Sequence, residues 1–322
     1  MKIPYGNADF ANIRRKRFYN GYRFSEDAEE RVFNSSMVLY FFQRLTSRGK
    51  MPTDMLDPNA RTDYRKLHQL WMATGPAAQE RRAVLEKVLD EGHVWSELVE
   101  HFGVSTASTT SQFVSLMYYT GMLTLSPEPP DVKEYRFEPP NRVIRELAWE
   151  HYTRLLEDLE GLSLTDHPVG VGLRAMAREG DIAPFIEVFR KNVLSVLGLK
   201  DLRQYNERSM KMLLMGTILM SGIFHVLSEK EFAQGYNDLF LSPMPNVRNA
   251  KFAWMLELKY LTAADKGKLD ATVADAEAQL RRYLADQHLV PMFAKGMQLR
   301  AGTLVFIGGK EVEWRPLATE NA

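Results

Sequence analysis

The clearest alternation of apolar and charged positions lies in residues 252–260, which are apolar apart from two charged side chains and a terminal tyrosine. A strand period of two puts Glu257 and Lys259 on one face and the intervening leucines on the other. A second strand-like run, residues 235–241, comes before it and is joined to it by a turn segment rich in Pro and Asn. The pattern therefore predicts two neighbouring strands, one of which carries a carboxylate and an ammonium on the same face.

Apolar periodicity predicts further elements along the chain. The predicted helices cover residues 35–45, 78–91, 95–102, 105–119, 142–159, 173–179, 184–197, 206–219 and 269–288, and the predicted short strands cover 122–125, 135–137, 303–307 and 312–314. Three helices followed by a hairpin, in residues 78–137, are the order of a winged helix. The third of these helices has no Lys or Arg, which a DNA-reading helix normally needs. We therefore expect it to pack within a winged-helix-like module rather than to read bases.

Composition narrows the possible functions. The chain has 322 residues, enough for two domains or three small ones. Its 41 basic and 41 acidic residues give a formal net charge of zero, so nucleic-acid affinity must come from local patches. The basic run at residues 14–17 is either such a patch or a solvated loop. Cysteine is absent, which excludes disulfides, thiolate zinc sites and cysteine nucleophiles.

The chain also shows no sign of a membrane partner. No apolar run approaches membrane-spanning length, and the first residues lack the continuous apolar core of a secretory signal. We expect a cytoplasmic protein.

Asp238, near the end of the first strand-like run, is the candidate partner of Glu257. If the two carboxylates lie at a similar height on neighbouring strands, they converge with the ammonium of Lys259, which is costly unless a divalent cation lies between them. Mg²⁺ and Mn²⁺ suit such oxygen ligands. The metal polarises a phosphodiester oxygen and lowers the pKa of a bound water, while Lys259 orients that water or stabilises developing charge. By itself, however, the Glu-x-Lys triplet is usually a solvated strand face.

These residues resemble the PD-(D/E)XK nuclease superfamily, in the form found behind a predicted ATPase module in many bacterial proteins. The matching stretches are residues 235–238, which end in the acid, and residues 257–260, which read Glu-Leu-Lys-Tyr. The resemblance implies a restriction-endonuclease-like α/β core, a mixed sheet flanked by helices, with Asp238 and Glu257 as metal ligands and Lys259 as the charged catalytic assistant. Tyr236 departs from the family, where relatives often carry Arg.

Three further residues take their roles from the same resemblance. Gln279 and Tyr283 are four apart and share a helix face, and this spacing resembles the third motif of RecB-type nucleases, where the pair positions nucleic acid. Arg282 lies beside them as a further candidate nucleic-acid contact. Glu207 has two interpretations that stay open: a charge that favours the dipole of its helix, or a catalytic acid that supports the metal or the general base, as in this superfamily.

The start of the chain resembles pieces of the predicted (AAA-like) ATPase module itself. Residues 3–6 are similar to its first residues and residues 19–24 to a stretch near its end, but the chain contains no Gly-x-x-x-x-Gly-Lys-Ser/Thr motif. The resemblance therefore implies that the ATPase core is deleted, and we expect neither ATP binding nor ATPase activity. The predicted domains are residues 1–76, an ATPase remnant; 77–160, the winged-helix-like domain; 161–205, a helical linker; and 206–322, the nuclease-like domain.

Two functions of different classes follow. The first is a Mg²⁺- or Mn²⁺-dependent nuclease, with DNA favoured over RNA as substrate. The second is a catalytically silent scaffold that binds nucleic acid or protein, with the helical half as a surface for a protein partner or a second copy. The intact Asp238, Glu257 and Lys259 favour the first function. The zero net charge, Tyr236 and the missing ATPase core favour the second.

Overall fold

The computed structural model describes residues 18–49, 52, 55–57, 76–101, 109–197, 206–227, 239–285 and 296–317. The chain divides into two compact units, Met1–Leu155 and Leu156–Ala322. Among the described helices, none combines the length and the apolar character that crossing a membrane requires.

The first unit combines helices with a small antiparallel sheet. Its elements are α1 (Ser35–Arg48), α2 (Pro76–Glu91), β1 (Val94–Glu97), α3 (Thr110–Tyr119), β2 (Thr124–Leu125), β3 (Glu134–Glu138) and most of α4 (Arg142–Glu160). The strand order is β1-β3-β2. The side chains of Phe113, Leu116 and Met117 on α3 are buried, which confirms that this helix packs inside its unit. The winged-helix-like interpretation of the unit stays a prediction.

One predicted helix in this unit is wrong over its first residues. Residues 95–97 belong to strand β1, which pairs with β3 through Val94 opposite Phe137 and Ser96 opposite Tyr135. Val94 and Ser96 are buried, whereas Trp95 and Glu97 are less so. This alternation has the period of two that a strand requires. Residues 95–97 form a strand because they pair with β3, some forty residues further along the chain.

The second unit is built on a mixed sheet. Its elements are α5 (His167–Glu179), α6 (Ala183–Phe189) with its continuation through a π-helical turn (Arg190–Leu194) into Ser195–Leu197, α7 (Glu207–Met220), β4 (Phe224–Leu227), β5 (Leu239–Pro243), β6 (Phe252–Leu261), a 3-10 turn (Ala263–Lys268), α8 (Leu269–Leu284), β7 (Gln298–Ile307) and β8 (Glu311–Pro316). The strand order is β4-β5-β6-β7-β8, with β6 and β7 parallel and the other pairs antiparallel. The structure confirms the predicted mixed sheet flanked by helices.

Helices cover both faces of this sheet, and alternation along β6 and β7 assigns the side chains to them. On one face, Trp254 donates its Nε1 proton to the carbonyl of Met176 in α5, at 3.0 Å. On the same face, the ring of Phe306 lies 6.1 Å from that of Phe189 in α6. The opposite face packs on α8, since Met255 shares an apolar cluster with Leu280. The segment predicted to be a helical linker therefore lies against β6 and β7.

Helix α7 begins where the sequence predicts. The side chain of Asn206 accepts a hydrogen bond from the backbone N–H of Ser209 at 3.0 Å, which caps the helix. Met210, Leu213 and Ile218 are buried, as its apolar pattern predicts.

Two glycines of α5 provide a matched test of its packing against α6. A Cβ atom on Gly172 would lie 2.7 Å from the Cα of Phe185, whereas a Cβ on Gly170 would meet only the guanidinium of Arg174, at 3.3 Å. We expect Gly170→Ala to stabilise the protein by about 0.5 kcal/mol, because alanine favours a helix. Gly172→Ala is expected to cost about 2 kcal/mol, because backbone atoms must shift. Urea denaturation measures both, and equal effects would contradict this packing.

Candidate active site

A polar gap interrupts the apolar contact between α8 and the sheet. On one side lies an apolar cluster formed by Phe240, Ala253, Met255, Leu280, Ala301 and Leu317. On the other side lies a second cluster formed by Leu261, Val273, Val305 and Ile307. Between these clusters along β6 and β7, on the same face, come Glu257, Lys259 and Thr303. The sheet therefore presents charged and polar groups to α8 at the middle of an otherwise apolar interface.

Glu257 and Lys259 form an ion pair in this gap. The Nζ of Lys259 donates a hydrogen bond to Oε1 of Glu257 at 2.8 Å, and the side chains are 20% and 5% exposed for Lys259 and Glu257 respectively. The prediction that both residues lie on one face of the strand is confirmed. Taking a carboxylate out of water is costly unless it is paired and hydrogen-bonded. The pair is therefore not the solvated strand face that a Glu-x-Lys triplet usually indicates.

Thr303 lies beside Glu257 on the neighbouring strand. The two residues are register partners in the parallel pair of β6 and β7, so their side chains leave the same face of strands about 4.8 Å apart. Thr303 is fully buried, and its Oγ1 has no hydrogen-bond partner among the described residues. Sequence reasoning missed it, because threonine is common in strands and its burial depends on α8.

Gln279 of α8 contributes another polar atom to this interface. Its Oε1 is buried and likewise has no hydrogen-bond partner in the described part of the chain. Gln279 directly precedes Leu280, a member of the first apolar cluster, and lies on the C-terminal side of Val273, a member of the second. Along the helix it therefore lies between a member of the second cluster and a member of the first.

The remaining predicted site residues occupy different surroundings. Tyr283 is partly buried against the first apolar cluster. Arg282 is exposed and donates from Nε to the carbonyl of Ala278 at 3.4 Å. Glu207 is exposed in the first turn of α7, and within the described residues its carboxylate makes no hydrogen bond or ion pair. Asp238 lies outside the described residues, as does Tyr236, so their predicted positions stay predictions.

Tyr260 closes the Glu-Leu-Lys-Tyr stretch and is partly buried. Burial raises the pKa of its hydroxyl above the ordinary tyrosine value. The hydroxyl of Tyr260 therefore stays protonated at neutral pH.

The donors in the gap fit a hard divalent cation in their chemistry. Glu257, Thr303 and Gln279 offer a carboxylate, a hydroxyl and an amide oxygen, which are the oxygen atoms that Mg²⁺ and Mn²⁺ prefer. Within the described ranges, no group of three or more His, Asp and Glu side chains that could hold a metal occurs. Among the described residues of the gap, Glu257 is the one that offers a carboxylate.

Comparison with protein families gives a match to part of the second unit. Residues 205–312, about a third of the 322-residue chain, match the family model of the PD-(D/E)XK nuclease superfamily. The matched segment runs from just before α7 into β8 and includes Glu257, Lys259, Gln279 and Thr303. No curated protein matches the chain. The chain therefore carries, over residues 205–312, a domain of the PD-(D/E)XK nuclease superfamily.

Proposed function

We propose that this domain is a Mg²⁺- or Mn²⁺-dependent nuclease that hydrolyses phosphodiester bonds of DNA. The observation that carries the proposal is the buried ion pair of Glu257 and Lys259, which lies in the polar gap of a PD-(D/E)XK superfamily domain. A buried ion pair contributes little to stability compared with apolar side chains of similar size. A chemical role explains why charged residues stand at these two positions of an apolar strand.

Glu257 and Asp238 are the proposed metal ligands. In the described register, Leu239 of β5 pairs with Leu256 of β6. Asp238 is the residue directly before Leu239 in the sequence, and its role as the second ligand rests on the sequence motif. When bound, the ion polarises a phosphodiester oxygen and lowers the pKa of a water ligand.

Lys259 is the proposed assistant of the reaction. Its ammonium is held by Glu257 but retains access to solvent, at 20% exposure. A fixed ammonium at this place donates a hydrogen bond to the attacking water or to a phosphate oxygen on which negative charge develops. Glu257 therefore has two tasks in the proposal, since its carboxylate both binds the ion and orients this ammonium.

Helix α8 supplies the proposed nucleic-acid contacts. Arg282 is exposed and carries a charge that attracts phosphate. Gln279 has a buried amide oxygen, and Tyr283 packs partly against the first apolar cluster. Because the whole chain has no net charge, binding depends on such local groups and is expected to weaken as salt rises.

The test is a cleavage assay on single- and double-stranded DNA and RNA, with Mg²⁺, with Mn²⁺ and with EDTA. We expect cleavage of DNA that requires a divalent ion and is lost in the variant Asp238→Asn. The control is Glu311→Gln, which removes an exposed carboxylate paired with Lys266 at 2.7 Å and is expected to cleave as the wild type does. Equal cleavage by wild type and Asp238→Asn would indicate a contaminant and contradict the proposal.

A binding scaffold without catalysis is the second candidate function. The zero formal net charge is the observation that favours it, because nucleases that act on a polyanion gain from a positive surface. Metal-independent binding of nucleic acid or of a protein, without cleavage under any of the assay conditions, would support the scaffold over the nuclease.

A further inference from the structure

We infer that Thr303 is a positioning residue of the candidate site, whose hydroxyl donates a hydrogen bond to the Glu257 carboxylate once a divalent ion is bound. The inference rests on the proposed function. It concerns a residue that the Glu-x-Lys pattern does not include, because Thr303 belongs to the next strand of the sheet.

The register of β6 and β7 brings the two side chains together. Thr303 is the parallel partner of Glu257, and both are almost completely buried on the face covered by α8. On that face of β7, the neighbouring positions are Ala301 and Val305, which pack in the two apolar clusters. Thr303 is therefore a polar side chain between two apolar ones, directly beside the buried carboxylate.

The hydroxyl of Thr303 has no function in the fold that the described contacts explain. Its Oγ1 is buried and lacks a hydrogen-bond partner within the part of the chain that the structure describes. Buried polar groups are almost always satisfied, and an exception indicates a strained site or a water or ion that completes the bonding. Valine has nearly the same shape and would fill the position without this cost. The hydroxyl thus stands where stability alone favours a methyl group.

Gln279 of α8 also has a buried polar atom without a hydrogen-bond partner among the described residues. Its buried Oε1 is an acceptor without a donor among the described residues. A water held by a divalent ion has protons to donate and meets this need, while the Thr303 hydroxyl has a proton for a carboxylate oxygen. One of these two unsatisfied groups therefore lies on β7 and the other on α8, the helix that covers this face of the sheet.

The experiment compares Thr303→Val with Thr303→Ser, using Mn²⁺ as the ligand in isothermal titration calorimetry. Loss of a hydrogen bond to a side chain that ligates a metal typically weakens metal affinity by about 10- to 100-fold. We expect the Mn²⁺ dissociation constant of Thr303→Val to rise by about tenfold and that of Thr303→Ser to stay close to the wild type. Urea denaturation in EDTA is expected to show Thr303→Val to be at least as stable as the wild type.

Thr153 of α4 provides the matched control. It is also fully buried, and its Oγ1 also lacks a hydrogen-bond partner among the described residues. Thr153→Val is expected to leave the Mn²⁺ dissociation constant unchanged. A Thr303→Val variant that binds Mn²⁺ as the wild type does, or that loses stability in EDTA with unchanged affinity, would overturn the inference and assign the hydroxyl to the fold.

A further variant separates this inference from the proposed function. If Glu257→Gln binds Mn²⁺ as tightly as the wild type, Glu257 is not a ligand and the proposed function itself fails. If Glu257→Gln loses Mn²⁺ binding while Thr303→Val keeps it, the proposed function stands and the role of Thr303 is wrong.

Discussion

Glu257→Gln is expected to lower DNA cleavage by roughly a thousandfold or more, while the metal-free protein stays folded. The substitution keeps the shape of the side chain but removes the charge that holds the ion and orients Lys259. Lys259 loses its ion pair with Glu257, but its side chain is 20% exposed, so the expected cost in unfolding free energy is small, about 1 kcal/mol or less. Single-turnover cleavage rates and urea denaturation in EDTA measure the two effects.

A thermal shift with Mn²⁺ makes this prediction independent of activity. An ion that binds only the folded state raises its stability, by about 2.7 kcal/mol at a hundred times the dissociation constant. The wild type and the control Glu311→Gln are expected to show a rise in melting temperature with Mn²⁺, and Glu257→Gln is expected to show none. An equal rise in all three proteins would mean that the ion binds at another place.

Lys259→Met is expected to destabilise the metal-free protein by about 3 kcal/mol, in contrast to Glu257→Gln. The difference arises because the Glu257 carboxylate is only 5% exposed and loses an ammonium that lies 2.8 Å away. Removing one member of a buried pair leaves the other charge in a medium that solvates it poorly. Urea denaturation in EDTA measures this loss, and cleavage is expected to fall as well because the ammonium no longer assists the reaction.

The double variant Glu257→Gln/Lys259→Met tests whether the loss comes from the pair. It is expected to recover most of the stability, since an amide beside an apolar side chain replaces the charge that has lost Lys259, and the resulting double-mutant cycle gives the coupling energy. Lys268→Met is the control for an exposed pair, because Lys268 and Asp265 are 2.7 Å apart but open to solvent. That variant is expected to lose no measurable stability. If Lys259→Met loses no more stability than Lys268→Met, the contribution of an ion pair to stability does not increase with its burial, and the prediction is wrong.

The parts of the structure that the sequence predicts are those set by local geometry. Glu257 and Lys259 share a face because a strand alternates its side chains, whatever its neighbours are. Asn206 begins α7 because its side chain satisfies a free backbone N–H of the first turn. In both cases the interaction that determines the structure lies within a few residues, so the amino-acid sequence is enough to predict it.

The parts that the sequence did not predict depend on distant partners. Residues 95–97 form a strand because β3 pairs with them, and a short apolar run does not distinguish this from a helix. Thr303 was included only as the first residue of a predicted strand, because its burial beside Glu257 requires both the parallel register and the cover of α8. Asp238 stays a prediction, since it lies outside the described residues.

The parallel pairing of β6 with β7 has a consequence for the order of folding. Ten residues of each strand are in register, yet the chain between them must first travel from one end of the sheet to the other, through a connection that contains α8. Closing so long a connection costs chain entropy before any of these contacts form, which makes such pairs slow to assemble. The surroundings of Glu257 therefore form only after β7 docks, so a nascent chain that ends before β7 lacks the Thr303 side of the gap.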